Sequence, residues 1–174
     1  LYEENKLYFK KLNYLNEFPF YTNNDKWFRY LRDQYLDINQ YHIVMNNLMK
    51  SKAFDIDNAK KKLWMTEDDL IKIYKKDHVL GLHSHSHPMQ MHKLSKLEQE
   101  LEYKKNYSHL VQIIGKPIKV MSHPCGNYNK NTIDVLFKLN LKLGFRSNKS
   151  MKKPKTCFEM PREDHTNILK EINK

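Results

Sequence analysis

An apolar run at 78–82 and shorter candidate strands at 118–121 and 145–147 are separated by stretches of helical periodicity ten or more residues long. That order constrains the chain more than any other feature. Antiparallel strands can be joined by tight turns, but parallel strands need a crossover of a dozen or more residues, usually a helix. The chain is therefore expected to be α/β with parallel strands. The length of 174 residues falls short of the roughly 250 that a closed (β/α) barrel usually needs, so an incomplete sheet or barrel is expected.

Local signals place the helices. Apolar positions from Leu7 to Leu15 predict a short helix, and Asp25 is read as the cap of a helix over 26–35 with Trp27, Tyr30 and Leu31 on one face. A third helix is expected over 40–50. Residues 51–65 read as a lysine-containing connection. Thr66 caps a helix to Lys76, with carboxylates at Glu67, Asp68 and Asp69 in its first turn. Ser95 and Glu98 form a capping box for a helix over 96–114, stopped by Gly115 and Pro117. Another helix is expected from Asn131 to Leu143, ended by Gly144, and a last one over 164–173. The aromatics of residues 1–50 read as packing residues, with a base-stacking platform the weaker alternative.

Composition excludes several classes. No run approaches the roughly 18 apolar residues of a spanning helix, and the start of the chain carries no secretory signal. The first residue is Leu1 rather than Met, so the chain is expected to be a piece of a longer protein. Two cysteines make no disulfide framework, and no CxxC or glycine-rich phosphate loop occurs. The net charge of +11 permits a polyanionic partner, but the basic residues are scattered and the composition resembles AT-rich codon usage. Nucleic acid is accordingly the less favoured partner.

The chemistry concentrates at strand ends. His83, His85, His87 and His92 follow the run at 78–82, and ligand chemistry in α/β sheets sits at the carboxyl ends of strands. Imidazoles four apart before Pro88 are read as two ligands of one divalent ion, zinc first, with a carboxylate required from elsewhere. A second loop, Ser122 to Asn129, follows the next strand. Pro124 and Gly126 bracket Cys125, whose backbone N–H is a candidate oxyanion donor. A Cys125–His123 nucleophile pair is the weaker reading, because nothing marks Cys125 as a lowered-pKa thiolate.

These two clusters, in this order, resemble the polysaccharide deacetylase family (NodB-homology, carbohydrate esterase family 4). The motif H-[ST]-x-x-H is matched by His83-Ser84-His85-Ser86-His87, and R-x-P-[YF]-G-x-[YN] by Ser122-His123-Pro124-Cys125-Gly126-Asn127-Tyr128. Leu94 to Glu100, Ile113 to Pro117, Leu141 to Arg146 and Met160-Pro161-Arg162 resemble further family elements, so the likeness covers about residues 66–165.

The resemblance implies a distorted (β/α) barrel and metal-dependent removal of acetyl groups from a glycan. It implies a single domain over 1–174, with an aromatic-rich helical insertion over 1–65 and a barrel portion over 66–174. His83 and His87 would bind the metal, the Cys125 amide would hold the oxyanion, and Ser84, Pro124, Gly126 and Tyr128 would line the substrate. The family's T-F-D-D motif, which carries the base and third ligand, does not occur in the sequence and is expected upstream of Leu1. Ser122 replaces the motif's arginine, with Arg162 as substitute, and His165 is the nearest counterpart of the general acid. A non-catalytic glycan- or partner-binding fragment is the alternative. The family's location would be the bacterial cytoplasm or cell envelope, and nothing in the sequence fixes the oligomeric state.

Overall fold

The computed structural model describes residues 8–9, 13–16, 18–149, 153–163 and 165–172. The chain divides into two compact units, Leu1–Leu63 and Trp64–Lys174.

The first unit is helical. Helix α1, Asn23–Tyr30, continues into a π-helical turn, Leu31–Tyr35. Its cap is Thr22 rather than Asp25. Asp25 is instead the N3 partner that closes a capping box, its carboxylate accepting from the Thr22 N–H at 3.0 Å. Phe9, Trp27 and Tyr30 pack ring on ring, with Trp27 and Tyr30 stacked at 5.8 Å, so these aromatics make their own small core. Helix α2, Ile38–Ser51, begins at an Asp37–Gln40 capping box. Of the expected helix over 7–15, Tyr8 and Phe9 are helical, whereas 13–15 form a turn with Leu15 left-handed (φ 56°), and positions 7 and 10–12 lie outside the described residues.

The stretch 51–65 is not merely a connection. It holds helix α3, Ile56–Leu63, whose start is tied by the Asp55 carboxylate accepting from the Asn58 N–H at 2.9 Å. Ile56, Ala59 and Leu63 share one face, a pattern hidden among three consecutive lysines.

The second unit carries a small parallel sheet. Helix α4, Glu67–Lys75, starts at the expected Thr66 cap. Helix α5, Lys96–Ile114, has the Ser95–Glu98 capping box at one end and left-handed Gly115 at the other. Strand β1, Val120–Ser122, pairs in parallel with β2, Leu143–Phe145, in the register Met121 opposite Gly144. Single parallel bridges, Leu82 to Met121 and Phe145 to Met160, extend the sheet on each side. The expected strand at 78–82 therefore pairs only at Leu82, and Val79 is 75% exposed. No closed barrel is present among the described residues. The architecture is a helix-rich α/β layer.

Helix α6, Lys130–Lys138, is shorter than expected. It ends because Asn140 takes a left-handed conformation (φ 56°), which Asn tolerates better than most residues, and the chain then turns toward the sheet. Gly144 does not end the helix. It sits mid-strand, where an added Cβ would lie 2.8 Å from Met121 Sδ and 2.9 Å from Phe158 Cα. The final helix, α7, spans His165–Ile172. The core joins Leu82 and Met121 of the sheet to Tyr103 and Leu110 of α5, Val135 and Leu136 of α6, and Phe158. This packing sets the carboxyl ends of three parallel segments side by side.

Candidate metal centre and the loops around it

His83 is the first residue after the Leu82 bridge, and Ser122 is the last of β1, so the sheet itself brings them together. His83 Nδ1 lies 2.9 Å from both the carbonyl oxygen and Oγ of Ser122. A carbonyl only accepts, so Nδ1 carries the proton and Nε2 carries the lone pair. Partial desolvation lowers the His83 pKa, the Ser122 carbonyl opposes the shift, and the charges of His87 and Arg162 add to it. The ring is thus biased toward the neutral form, with its lone pair on Nε2, one of the two tautomers that can bind a metal.

The His87 ring lies beside it, centroids 4.9 Å apart and inclined at 61°. Ser84 and His87 both adopt left-handed backbone (φ 63° and 55°), which folds the loop so that both rings fall on one side. Ser84 is buried, and its Oγ accepts from the His87 N–H at 3.1 Å.

The second loop packs against the first. His92 Nδ1 contacts Asn127 Oδ1, Asn129 Nδ2 donates to the His92 carbonyl at 2.9 Å, and Cys125 Sγ lies 3.5 Å from Met89 Sδ. Cys125 is exposed at the apex of the turn Pro124–Gly126, in left-handed conformation (φ 53°). Pro124 is buried within that turn. Gly126 (φ 66°) lies against Ser147, whose side chain would have to turn away from an added Cβ. The Tyr128 hydroxyl donates to Glu159 at 3.0 Å, and its ring stacks on His123 at 4.2 Å.

Arg162 follows the Met160 bridge, donates from Nε to the Arg146 carbonyl at 2.8 Å and places its charge near His83. His165 opens α7 and is exposed. The groove lined by Tyr74, His78, Leu80 and Ile118 is at the opposite, amino end of the strands and includes none of these residues.

Sequence reasoning weighed His123 only as a partner of Cys125 and passed over Glu102 and Asn106. His123 is 1% exposed, and its Nε2 donates to the Phe158 carbonyl at 2.8 Å. Asn106 and Glu102 of α5 accept from loop backbone N–H groups at 83, 85 and 86. The available signal was their i, i+4 spacing on a helix next to the histidine motif.

The donor chemistry of the pair fits a divalent ion: two adjacent imidazoles, one with its tautomer fixed by a carbonyl. No group of three or more His, Cys, Asp or Glu side chains suited to a metal occurs among the described residues. A catalytic zinc centre typically takes three protein ligands, more than this pair of imidazoles.

Residues 29–144 match the family model for polysaccharide deacetylase, and the chain belongs to that family. Among solved structures, it is similar to the deacetylase domain of BpsB from Bordetella bronchiseptica: 16% identity, TM-score 0.50, 57% of this chain and 48% of that one covered. It is also similar to the deacetylase PplD from Streptococcus pyogenes in complex with acetate: 19% identity, TM-score 0.49, 61% and 50% covered. A CE4 family pseudoenzyme from Bacillus anthracis matches at 16% identity and TM-score 0.41, over 43% and 26%. The chain spans half or less of the length of each of these proteins. At such identity the likeness to BpsB concerns the fold. No match was found among curated proteins. No described helix is long and apolar enough to cross a membrane.

Proposed function

We propose that this chain carries the histidine half of a metal-dependent carbohydrate deacetylase that removes N-acetyl groups from a polysaccharide. The observation that supports this best is the His83–His87 pair, beside a loop matching the family's third motif and within a chain of that family. His83 Nε2 and the His87 ring are the metal-holding groups, and zinc suits their imidazole chemistry. A divalent ion bound there supplies Lewis acidity toward a carbonyl and lowers the pKa of water.

The chain's own residues have separable roles. The Ser122 carbonyl keeps the proton on His83 Nδ1. Cys125 sits in a left-handed turn packed against the histidine loop, and its backbone amide is assigned to the developing oxyanion. Arg162 supplies positive charge near the site, where the family's motif arginine is replaced by Ser122. Ser84 fixes His87, and Gly126 and Tyr128 shape the substrate side of the second loop, with Pro124 holding its turn. His165 is assigned as the group that protonates the leaving amine. The catalytic base and third ligand are assigned to a T-F-D-D segment outside the present sequence.

The test is acetate release from N-acetylated chito-oligosaccharides by the natural full-length protein, with and without chelator. Chelator-sensitive release that vanishes in His83→Ala is the expected result. Glycan binding without release would replace this reading by that of a non-catalytic glycan-binding protein. Neither release nor binding would remove both.

A further inference from the structure

We infer that Glu102 and Asn106, one turn apart on α5, are positioning residues that hold the loop 83–87 in the conformation that pairs the two imidazoles. The inference rests on the reading of His83 and His87 as metal ligands.

The loop needs an external support. Ser84 and His87 are both left-handed, a conformation that residues with a Cβ rarely adopt. The short stretch between them has little of its own to enforce that shape. Its backbone donors, however, have fixed acceptors. Asn106 Oδ1 accepts from the His83 N–H at 2.9 Å. Glu102 Oε2 accepts from two consecutive amides, His85 at 3.0 Å and Ser86 at 2.8 Å, while Oε1 accepts from Ser86 Oγ at 2.9 Å. Ser84 Oγ accepts from the His87 N–H at 3.1 Å. Of the four amides at 83, 85, 86 and 87, three end on α5.

One row of the helix also holds the far end of the segment. Gln99, fully buried, donates from Nε2 to the Leu94 carbonyl at 2.9 Å, and its Oε1 accepts from Thr132 Oγ1 at 2.5 Å. Gln99, Glu102 and Asn106 follow the i, i+3, i+7 spacing of a single helix face. The support is stiff, because α5 is 19 residues long, capped at both ends, and anchored in the core by Tyr103 and Leu110. Contacts from an ionised carboxylate to backbone amides are also stronger than neutral ones. Both oxygens of Glu102 are engaged by the loop, so its role is to orient the ligands rather than to be one. Groups that orient metal ligands typically control affinity by about 10–100-fold.

The experiment is Co2+ titration of the natural full-length protein, followed by absorption, beside amide hydrogen exchange at His85 and Ser86 in the metal-free state. Glu102→Ala is expected to weaken Co2+ binding by about 10–100-fold and to speed exchange at both amides. Glu102→Gln keeps a carbonyl oxygen for the two amides and should recover most of the affinity, which a loss of charge alone would not allow. Glu100→Ala removes another α5 carboxylate, one paired to Lys104 and Lys138, and should change neither readout. Unaltered affinity and unaltered protection in Glu102→Ala would overturn the inference. If that variant fails to fold, Glu102→Gln and Ser86→Ala decide on the same readouts. If the wild-type protein binds no Co2+, the metal-ligand reading fails on its own. Exchange at His85 and Ser86 still reports whether Glu102 holds the loop.

Discussion

His83 and His123 stand at the carboxyl ends of neighbouring parallel segments, and each has one ring nitrogen on a backbone carbonyl. Beyond that they diverge. In His83 the carbonyl takes Nδ1, and Nε2 of an exposed ring is left to bind something. In His123 the carbonyl takes Nε2, and the remaining Nδ1 is buried without a partner among the described residues. The first arrangement suits the ligand role proposed for His83. The second locks a turn: His123 lies under Tyr128 and beside the sheet, with its own N–H donating to the Phe145 carbonyl at 2.9 Å. The residue type is the same, and the surroundings of the second nitrogen decide the role.

The comparison is broken most directly by substitution. His83→Ala should weaken metal binding by more than the ~10–100-fold expected for an orienting group, with little loss of stability. His123→Ala should do the reverse, destabilising by about 3 kcal/mol through a cavity and an orphaned Phe158 carbonyl. Isothermal titration and urea unfolding on both variants measure the two effects. A His123 variant that loses metal while keeping full stability would abolish the distinction.

Protonation sharpens the same contrast. Burial pushes the His123 pKa down from 6.5 to about 4, against the opposing effects of the Phe158 carbonyl and Glu159. The unfolded chain therefore binds more protons than the folded one between these values, and stability rises with pH across that window. The contribution is whole above pH 6.5 and is lost as pH falls toward 4, by about 3 kcal/mol at ~1.4 kcal/mol per unit. The lowered pKa of His83 acts with the same sign. Urea midpoints measured from pH 7.5 to 4 should decline, and a flat profile would contradict the burial of His123.

Two smaller effects separate the turn from the helix. Gly126→Ala should cost about 1–2 kcal/mol for a left-handed alanine, with a further loss from contact with Ser147. It should also disturb the Cys125 turn, and thereby activity, more than thermal stability. Ser95→Ala removes the cap of α5 and should cost about 1 kcal/mol. Metal affinity should be retained, because Glu102 and Asn106 lie beyond the first turn. Thermal melts combined with metal titration distinguish the two outcomes.

Much of the second unit was legible in the sequence. Ser95, Glu98 and Gly115 fix α5 by local chemistry, and Thr66 does the same for α4. The two motif loops announce themselves through His, Pro and Gly at strand ends. Misreadings came where a residue's meaning depends on distant partners. Gly144 looks like a helix stop, yet it is required by the close approach of Phe158. The lysines of 60–62 masked a helix whose apolar face is visible only at wider spacing. The run at 78–82 has strand composition, but pairing takes two segments, and only Leu82 meets β1 among the described residues.

The sequence by itself determined the caps at Thr66 and Ser95, the alternation of helices with parallel segments in the second unit and the identity of the family, since each depends on residues close together in the chain. Tertiary structure decided which histidine is exposed, which tautomer it holds and which helix supports its loop. Those outcomes rest on contacts between residues 16 to 39 positions apart, such as Ser86 with Glu102 and His83 with Ser122. No local propensity encodes such contacts. They exist only once burial of Leu82, Met121 and Tyr103 has drawn the segments into one core.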